Sequence, residues 1–246
     1  LGLDRGFFAQ YATWIAGIAT LDLGKSYQVG GDIGSLVSFG LVHTVLLTVT
    51  ALVLAVLLAL ALSLAATIVD NRFVNAAVTG VNAVAIAVPT FVVSTVLILL
   101  FGVHWRLLPA GGTPPEGLFT DPGITAQYLL LPAVALALPA GATLARFLTE
   151  ALRTELRQPY ATTARALGVP KRDIVIHSAL RNALPPSLTA LGLVTGGLLG
   201  GAILVEAIFG WPGLGLLTEQ GIFARDYPLV QVLVLLSVAV FVVLQL

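Results

Sequence analysis

Long apolar runs separated by short polar ones set the pattern of this chain, and the first question is how far each run goes without a charge. Leu41–Val69 contains no Asp, Glu, Lys or Arg, and neither do Phe73–Trp105, Gly123–Ala145, Asn182–Val205 and Tyr227–Leu246. Crossing a bilayer as a helix takes about 20 apolar residues, so the chain is predicted to make five spans. As a helix, Leu41–Val69 would be about 44 Å long at ~1.5 Å per residue, which calls for tilt or protrusion beyond a ~30 Å hydrocarbon layer. None of the runs alternates apolar and polar residues with period two, so a β-barrel is not expected.

Composition agrees with an all-α integral membrane protein. Of the 246 residues 58% are hydrophobic and 10% charged, against roughly a quarter charged in soluble domains. A net charge of zero gives no reason to expect a nucleic-acid partner. Without Cys there are no disulfides or thiolate metal sites. Without Met, even at position 1, the chain is expected to begin inside a longer product or to have been processed. No signal-peptide pattern opens it.

Basic residues orient the bundle. The loops near 70–72 and 146–181 share one side and hold Arg72, Arg146, Arg153, Arg157, Arg165, Lys171, Arg172 and Arg181. The other side holds only Arg5, Lys25, Arg106 and Arg225, while most of the acids lie there. The loop at 146–181 is therefore cytoplasmic. Residues 1–40 form an extracytoplasmic segment, and 41–246 the transmembrane domain. Phe7, Phe8, Tyr11, Trp14, Ile15 and Ile18 recur at helical spacing, as in a helix lying in the outer interface; a short helix packed on the spans gives the same pattern. An outside start with an odd number of spans also suggests a preceding sixth span.

Several stretches look like chemistry. Leu21–Ser26 (LDLGKS) ends like a phosphate-binding loop, but Ala19 stands where that loop needs glycine and the segment lies on the wrong side for ATP. His43, His104 and His177 lack metal-site spacing. No GxSxG motif occurs, and the chain does not read as an enzyme. Gly210–Gly215 (GWPGLG) reads as a structural or gating turn because of Pro212, with ligand contact by Gly213 the alternative; Trp211 and Phe209 are expected at the membrane interface. Glu206, at the outer end of the fourth span, belongs either to a solute or proton path or to a structural bond with solvent or backbone. Thr195–Ala202 (TGGLLGGA) holds two small-xxx-small pairs, Gly196/Gly200 and Gly197/Gly201, suited to close helix approach or to lining a pathway. Thr189, Thr195 and Gly196 are the first candidates for the pathway wall.

The densest feature is Glu150–Pro186 (EALRTELRQPYATTARALGVPKRDIVIHSALRNALPP). Pro159 is placed to open a short helix, Tyr160–Leu167, and Gly168 to end it in the left-handed conformation. Pro170 begins a second helix, Lys171–Leu184, running to Pro185 and Pro186 at the next span. Ala161, Ala164 and Ala166 make the first helix slim enough to enter a groove on another protein. A positive-inside loop explains the charges, but not an alanine-rich helix stopped by a glycine.

This stretch resembles the coupling ("EAA") loop, 149–183 here, of binding-protein-dependent ABC importer permeases. Thr162, Thr163 and Ala164 take the first three places and Gly168 the glycine; Leu184 and Pro185 or Pro186 fall late. Tyr160, Thr163, Ala164, Arg165, Ala166 and Gly168 are similar to the dipeptide/oligopeptide/nickel branch, with Leu167 in a lysine place. Ala179–Ala183 continues that branch's pattern, although Ser178 stands where it has His. Gly200–Gly215 with Ala224–Gln231 resembles the block before the last span of the first permease of such pairs, and LGLD at 1–4 and DLGKSY at 22–27 resemble its outer segment.

The resemblance implies a type I permease bundle, five spans here of an expected six, in the bacterial inner membrane. It also implies a second homologous permease, two cytoplasmic ATPases that hold ATP and Mg, an extracytoplasmic binding protein, and surrounding lipid. Tyr160, Thr163, Ala164, Arg165, Ala166, Gly168, Lys171 and Arg172 would then couple to an ATPase, and short peptides are the expected solute, nickel or another small solute the alternative. A stand-alone secondary transporter would carry ionisable or broken-helix sites near the midplane, where only Asn82, Pro89 and Pro132 interrupt. A non-transporting scaffold or receptor is the third possibility.

Overall fold

The computed structural model describes residues 6–69 and 71–245; LGLD at 1–4, Arg5, Asp70 and Leu246 lie outside them. Asp32 starts the first long helix. Its carboxylate accepts from the Ser35 amide (2.9 Å) and hydroxyl (3.2 Å), satisfying a first-turn amide. With Ser38 also bonded to backbone, helix α2 runs over Ile33–Ile68, about two turns earlier than the charge-free run indicates. The boundary drawn at residue 40 therefore falls inside a helix.

The second expected span is broken. Asn71 caps α3 (Arg72–Ala87), then Val88 turns extended ahead of Pro89, and α4 (Thr90–Leu97) continues as a π-helical segment, Ile98–His104. The two halves meet at 102°. Pro89 cannot donate an amide hydrogen and forces its predecessor out of helical conformation. Among the described residues three helices are single and long enough to cross a membrane, four if the bent pair counts as one; Tyr227–Val243 is apolar but shorter.

Helix α5 (Pro122–Glu155) starts at Asp121, whose side chain accepts from Gly123 and Ile124. It is the centre of the bundle: two thirds of its apolar stretch is buried, against just over a quarter for α2 and for the helix ending at Phe209. Pro132 and Pro139 lie inside it, which neighbouring helices tolerate in a membrane. At its crossing with α2, a side-chain carbon on Gly141 would sit 3.0 Å from the Ala55 carbonyl oxygen. Alanines of both helices, with Leu47, Leu136 and Leu144, fill this core, since small residues let membrane helices approach closely.

Beyond α5 come α6 (Pro159–Ala166) and α7 (Lys171–Asp173). A π-helical turn, Ile174–Ala179, then leads into α8 (Leu180–Phe209). The expected stop at Pro185 and Pro186 does not occur; Lys171–Phe209 is one continuous rod. Helix α9 (Leu214–Phe223) re-enters the outer side of the bundle and α10 (Tyr227–Gln245) follows. Helix α1 (Phe7–Ala19) makes no extensive packing with any described helix. Tyr11 and Ile15 are exposed and Trp14 and Ile18 half-buried.

An apolar cluster of Ile33, Val37, Leu217, Leu229, Val232 and Leu233 joins α2, α9 and α10 on the outer side. Beside it, the buried carboxylate of Asp226 accepts from the Ser26 hydroxyl (2.6 Å) and from the Gln28 (2.8 Å), Val29 (3.4 Å) and Leu229 (3.3 Å) amides. The LGKS stretch is thus a loop after a helix, and its serine hydroxyl donates to Asp226. Burial works against the charged carboxyl, but the hydrogen bonds from Ser26, Gln28, Leu229 and Val29 outweigh it and hold Asp226 below the usual carboxylate range.

Asp226→Asn turns an amide NH2 toward these donors. Losing a charged acceptor costs about 1.5–3 kcal/mol, so hydrogen exchange of the Gln28 and Val29 amides should rise roughly 10- to 100-fold. In the unmodified chain the clasp is complete above the unfolded carboxylate pKa of ~3.9 and is lost as pH falls through the lower folded value. Protection, corrected for intrinsic exchange rate, should still be full at about pH 5; loss by then would contradict this account.

Candidate functional site

On the inner side, α5 ends in a turn at Leu156–Gln158, and Pro159 opens α6 from an extended Gln158. The helix stops as expected. Gly168 has φ +80°, its amide donates to Arg165 O, and the Val169 amide donates to Ala164 O, both at 3.0 Å. These two bonds make a Schellman end, which requires the left-handed residue. Pro170 then leads into α7.

The faces of α6 differ from the sequence expectation. At helical spacing Tyr160, Ala161, Ala164 and Arg165 share one side, and Thr162, Thr163 and Ala166 the other. Ala161 is fully buried in a socket of Leu148, Leu152, Leu156, Ile174, Val175, Ala179 and Ala183, and Ala164 is half-buried. Alanine at 161 is small so that α6 can sit on its own chain. The exposed side carries Thr162, Thr163, Ala166 and, at the tip, Leu167. Arg165 is exposed, and its guanidinium donates to Leu156 O at 3.0 Å. Tyr160 donates to Glu155 Oε2 at 2.8 Å. Lys171 is half-buried and Arg172 exposed.

On the outer side the GWPGLG turn is held by a carboxylate of the same chain. Glu206 is fully buried; its carboxylate accepts from the Gly215 amide (2.6 Å), the Leu216 amide (3.4 Å) and the Thr44 hydroxyl (2.7 Å). Thr44 in turn accepts from the Leu214 amide at 2.8 Å. The first-turn amides of α9, left without partners by helix geometry, are thus satisfied by side chains of α8 and α2. Glu206 thus makes the bond to backbone that its structural role calls for. Gly213 packs directly on the carboxylate, and a side-chain carbon on Gly215 would overlap the Ile203 backbone.

Trp211 and Phe209 are buried, not at a lipid surface. Trp211 fills the space behind the turn and its Nε1 donates to His43 O at 3.0 Å. Pro212 is half-buried. Thr44, and the pairing of Ser26 with Asp226, went unnoticed in the sequence. Asp226 had a local signal, as an acid just before an apolar helix; Thr44 had none, since its partner is 162 residues away.

The glycines of α8 divide between faces. Gly196 is buried and a side-chain carbon on Gly201 would sit 3.2 Å from Leu136, whereas Gly197 and Gly200 are exposed with open space around them. Neither small-xxx-small pair forms one contact. Of the proposed wall residues, Thr189 is exposed, and Thr195 is half-buried with its hydroxyl donating to Leu191 O. Neither lines the cavity of about 250 Å³ that opens on this face; Thr90, Leu136, Pro139, Ala140, Thr143, Val194, Gly197, Leu198 and Gly201 do.

Residues 51–246 match the family of binding-protein-dependent transport system inner membrane components. A putative peptide permease of Brucella suis biovar 1 is 30% identical over 232 residues, 94% of this chain and 72% of the relative. The glutathione transport system permease GsiC of Escherichia coli K12 is 32% identical over 246 residues, all of this chain and 77% of the relative. Among solved structures, the MetNI methionine ABC transporter in inward-facing conformations aligns with a TM-score of 0.70 at 20% identity, covering 85% of this chain and 91% of that one. An amino acid ABC transporter solved with histidines gives 0.64 at 18% identity, covering 85% and 89%. Both likenesses concern the fold.

Overpacking a filled site costs about 1–3 kcal/mol. Gly215→Ala should therefore lower the melting temperature of the detergent-purified protein by several degrees, whereas Gly200→Ala, which meets nothing, should leave it unchanged. Equal melting temperatures for the two variants would remove the close packing of the outer turn.

Proposed function

This chain belongs to the family of binding-protein-dependent transport system inner membrane components, and we propose that it forms one half of the solute pathway of an ATP-driven importer. The single observation that carries the reading is α6, a short helix held between two spans on the inner side with Thr162, Thr163, Ala166 and Leu167 facing outward. That face docks on one of two cytoplasmic ATPases, with Lys171 and Arg172 beside it. ATP and Mg are held by those partners. A second, homologous permease supplies the other half of the pathway, and an extracytoplasmic binding protein delivers the solute.

Short peptides are the solute we propose, supported by relatives named for peptide and glutathione transport. Differential binding of ATP to the closed and open ATPase pair supplies the free energy, and α6 passes the motion on as a rigid body. The second permease faces the α8 side that carries Gly192, Gly197 and Gly200, which this chain's own helices leave open. The cavity on that side is the part of the pathway this chain contributes. Its walls are uncharged, so choice of solute rests with the binding protein. Helix α1, apolar and apart from the bundle, rests in the outer membrane interface.

The assembled complex should retain ATPase subunits in stoichiometric amount, and sealed vesicles containing it should take up peptide only with ATP. Uptake without nucleotide, or purification without ATPases, would overturn the proposal. Gly168→Val should leave membrane insertion intact and abolish solute-stimulated hydrolysis, because a β-branched residue at φ +80° unwinds the end of α6. Gly197→Trp fills open space without displacing its own chain; uptake should fall at least ~10-fold, as the loss of a path rather than of stability or assembly, with melting temperature, basal hydrolysis and stoichiometric recovery of the second permease all held. Uptake unchanged by this variant would exclude the cavity from the path.

A further inference from the structure

Helix α6 is flanked by two single-residue joints: Gln158 is extended on one side and Gly168 left-handed on the other. An eight-residue helix between two such joints is free to swing and roll unless something stops it. Only one of its side chains, Ala161, is fully buried, and a methyl group in an apolar socket fixes position without fixing rotation. The rotation is fixed by polar contacts at either end of the same face. At the N-terminal end the Tyr160 hydroxyl donates to Glu155 on the last turn of α5 (2.8 Å). At the C-terminal end Arg165 reaches back nine residues to the Leu156 carbonyl, which caps α5 (3.0 Å).

We propose that Tyr160 and Arg165 are positioning residues of the transport cycle: they lock the docking helix to the inner end of α5, so that force received on its outer face moves that helix instead of being lost at the joints. The proposal rests on the functional reading above and assigns the polar ends of these two solvent-accessible residues to bonds within the chain, not to the ATPase contact. Burial first, and then the hydrogen bond to Glu155, push the Tyr160 phenol above its ordinary pKa, with Asn182 acting the other way; the hydroxyl therefore stays a donor at working pH. The arginine suits its place because the end of α5 leaves carbonyls without helical donors, and a guanidinium donates without ever losing its proton. Helix α5 is also the helix whose middle, Leu136–Thr143, forms one wall of the cavity, so a displacement at its inner end reaches the path directly.

The test uses the complete complex in sealed vesicles, with Tyr160→Phe, Arg165→Ala and the double variant, and with Arg165→Lys as the conservative replacement able to donate to the same carbonyl. The double variant should keep stoichiometric ATPases and hydrolyse ATP within about twofold of the unmodified complex, yet move at least ~5-fold less solute per ATP, the lower end of ordinary coupling factors. Arg165→Lys should recover most of that ratio. Hydrogen exchange of the Ala161–Leu167 amides, read on the same preparation, should rise at least ~10-fold in the double variant, about what the loss of one such bond gives. An unchanged transport ratio, unchanged exchange, or loss of the ATPases on replacing Arg165 would each overturn the proposal; the last would make Arg165 a partner contact. Failure of the functional reading looks different: the unmodified complex would then lack ATPases or move solute without ATP, while the exchange comparison would still report on the clasp.

Discussion

A helix that re-enters a bundle brings the free amides of its first turn into a place with no water to satisfy them, and much of the outer half of this fold follows from how α9 meets that demand. The acceptors come from two other helices, Glu206 of α8 and Thr44 of α2. A carboxylate at a helix N-terminus also faces the positive end of the helix dipole, which offsets part of the cost of taking it out of water. Gly213 and Gly215 follow from the same contact, since a carboxylate this close to the turn leaves no room for side chains. Trp211 follows as well: it fills the volume behind the turn and donates to a carbonyl of α2. Once α9 is held to α2 and α8, Asp226 at its far end can tie the outer loop at Ser26–Val29 to the start of α10.

The inner half depends on a different economy. There α6 has too few buried side chains to be held by apolar contact alone, and its fixed position comes from directional bonds at both ends of one face. The pattern Tyr-Ala-x-x-Ala-Arg is the sequence form of that face, with alanines where the bundle presses and polar groups where α5 ends. The outward side is left with Thr162, Thr163, Ala166 and Leu167, an uncharged surface that leaves close contact to a partner.

Local features were legible in the sequence and distant ones were not. The charge-free runs located all five apolar segments, because hydrocarbon thickness acts on each run separately. The α6 boundaries and the turn at Gly168 were legible because Pro159 and Gly168 act through their own backbone. Reading failed where a partner elsewhere in the chain decides. Ala161 looked like a slim surface residue, and only the fold brings Leu152 and Ile174 onto it. Trp211 carries the composition of an interfacial residue, and only the course of α9 turns it inward. Pro89 and the pair Pro185–Pro186 gave one chemical signal with opposite outcomes, a 102° break and an unbroken rod, because proline ends a helix only where freed carbonyls find no other donor.

Helix α5 joins the two halves, and its mechanical state decides whether motion at one end is felt at the other. Pro132 and Pro139 interrupt its hydrogen-bond ladder in mid-membrane, and an unbraced helix with two such breaks would flex there. The brace is the crossing with α2, where Gly141 lies against Leu58 and the Ala55 carbonyl and alanines fill the rest of the contact. Close-packed interfaces of this kind shift as units instead of deforming gradually. A displacement of the Glu155 end is therefore carried past the prolines as a movement of α5 together with α2. It arrives at the cavity as a change in the distance between the Leu136–Thr143 wall and the Val194–Gly201 wall of α8, and the open glycines on that second wall set how much room the change creates.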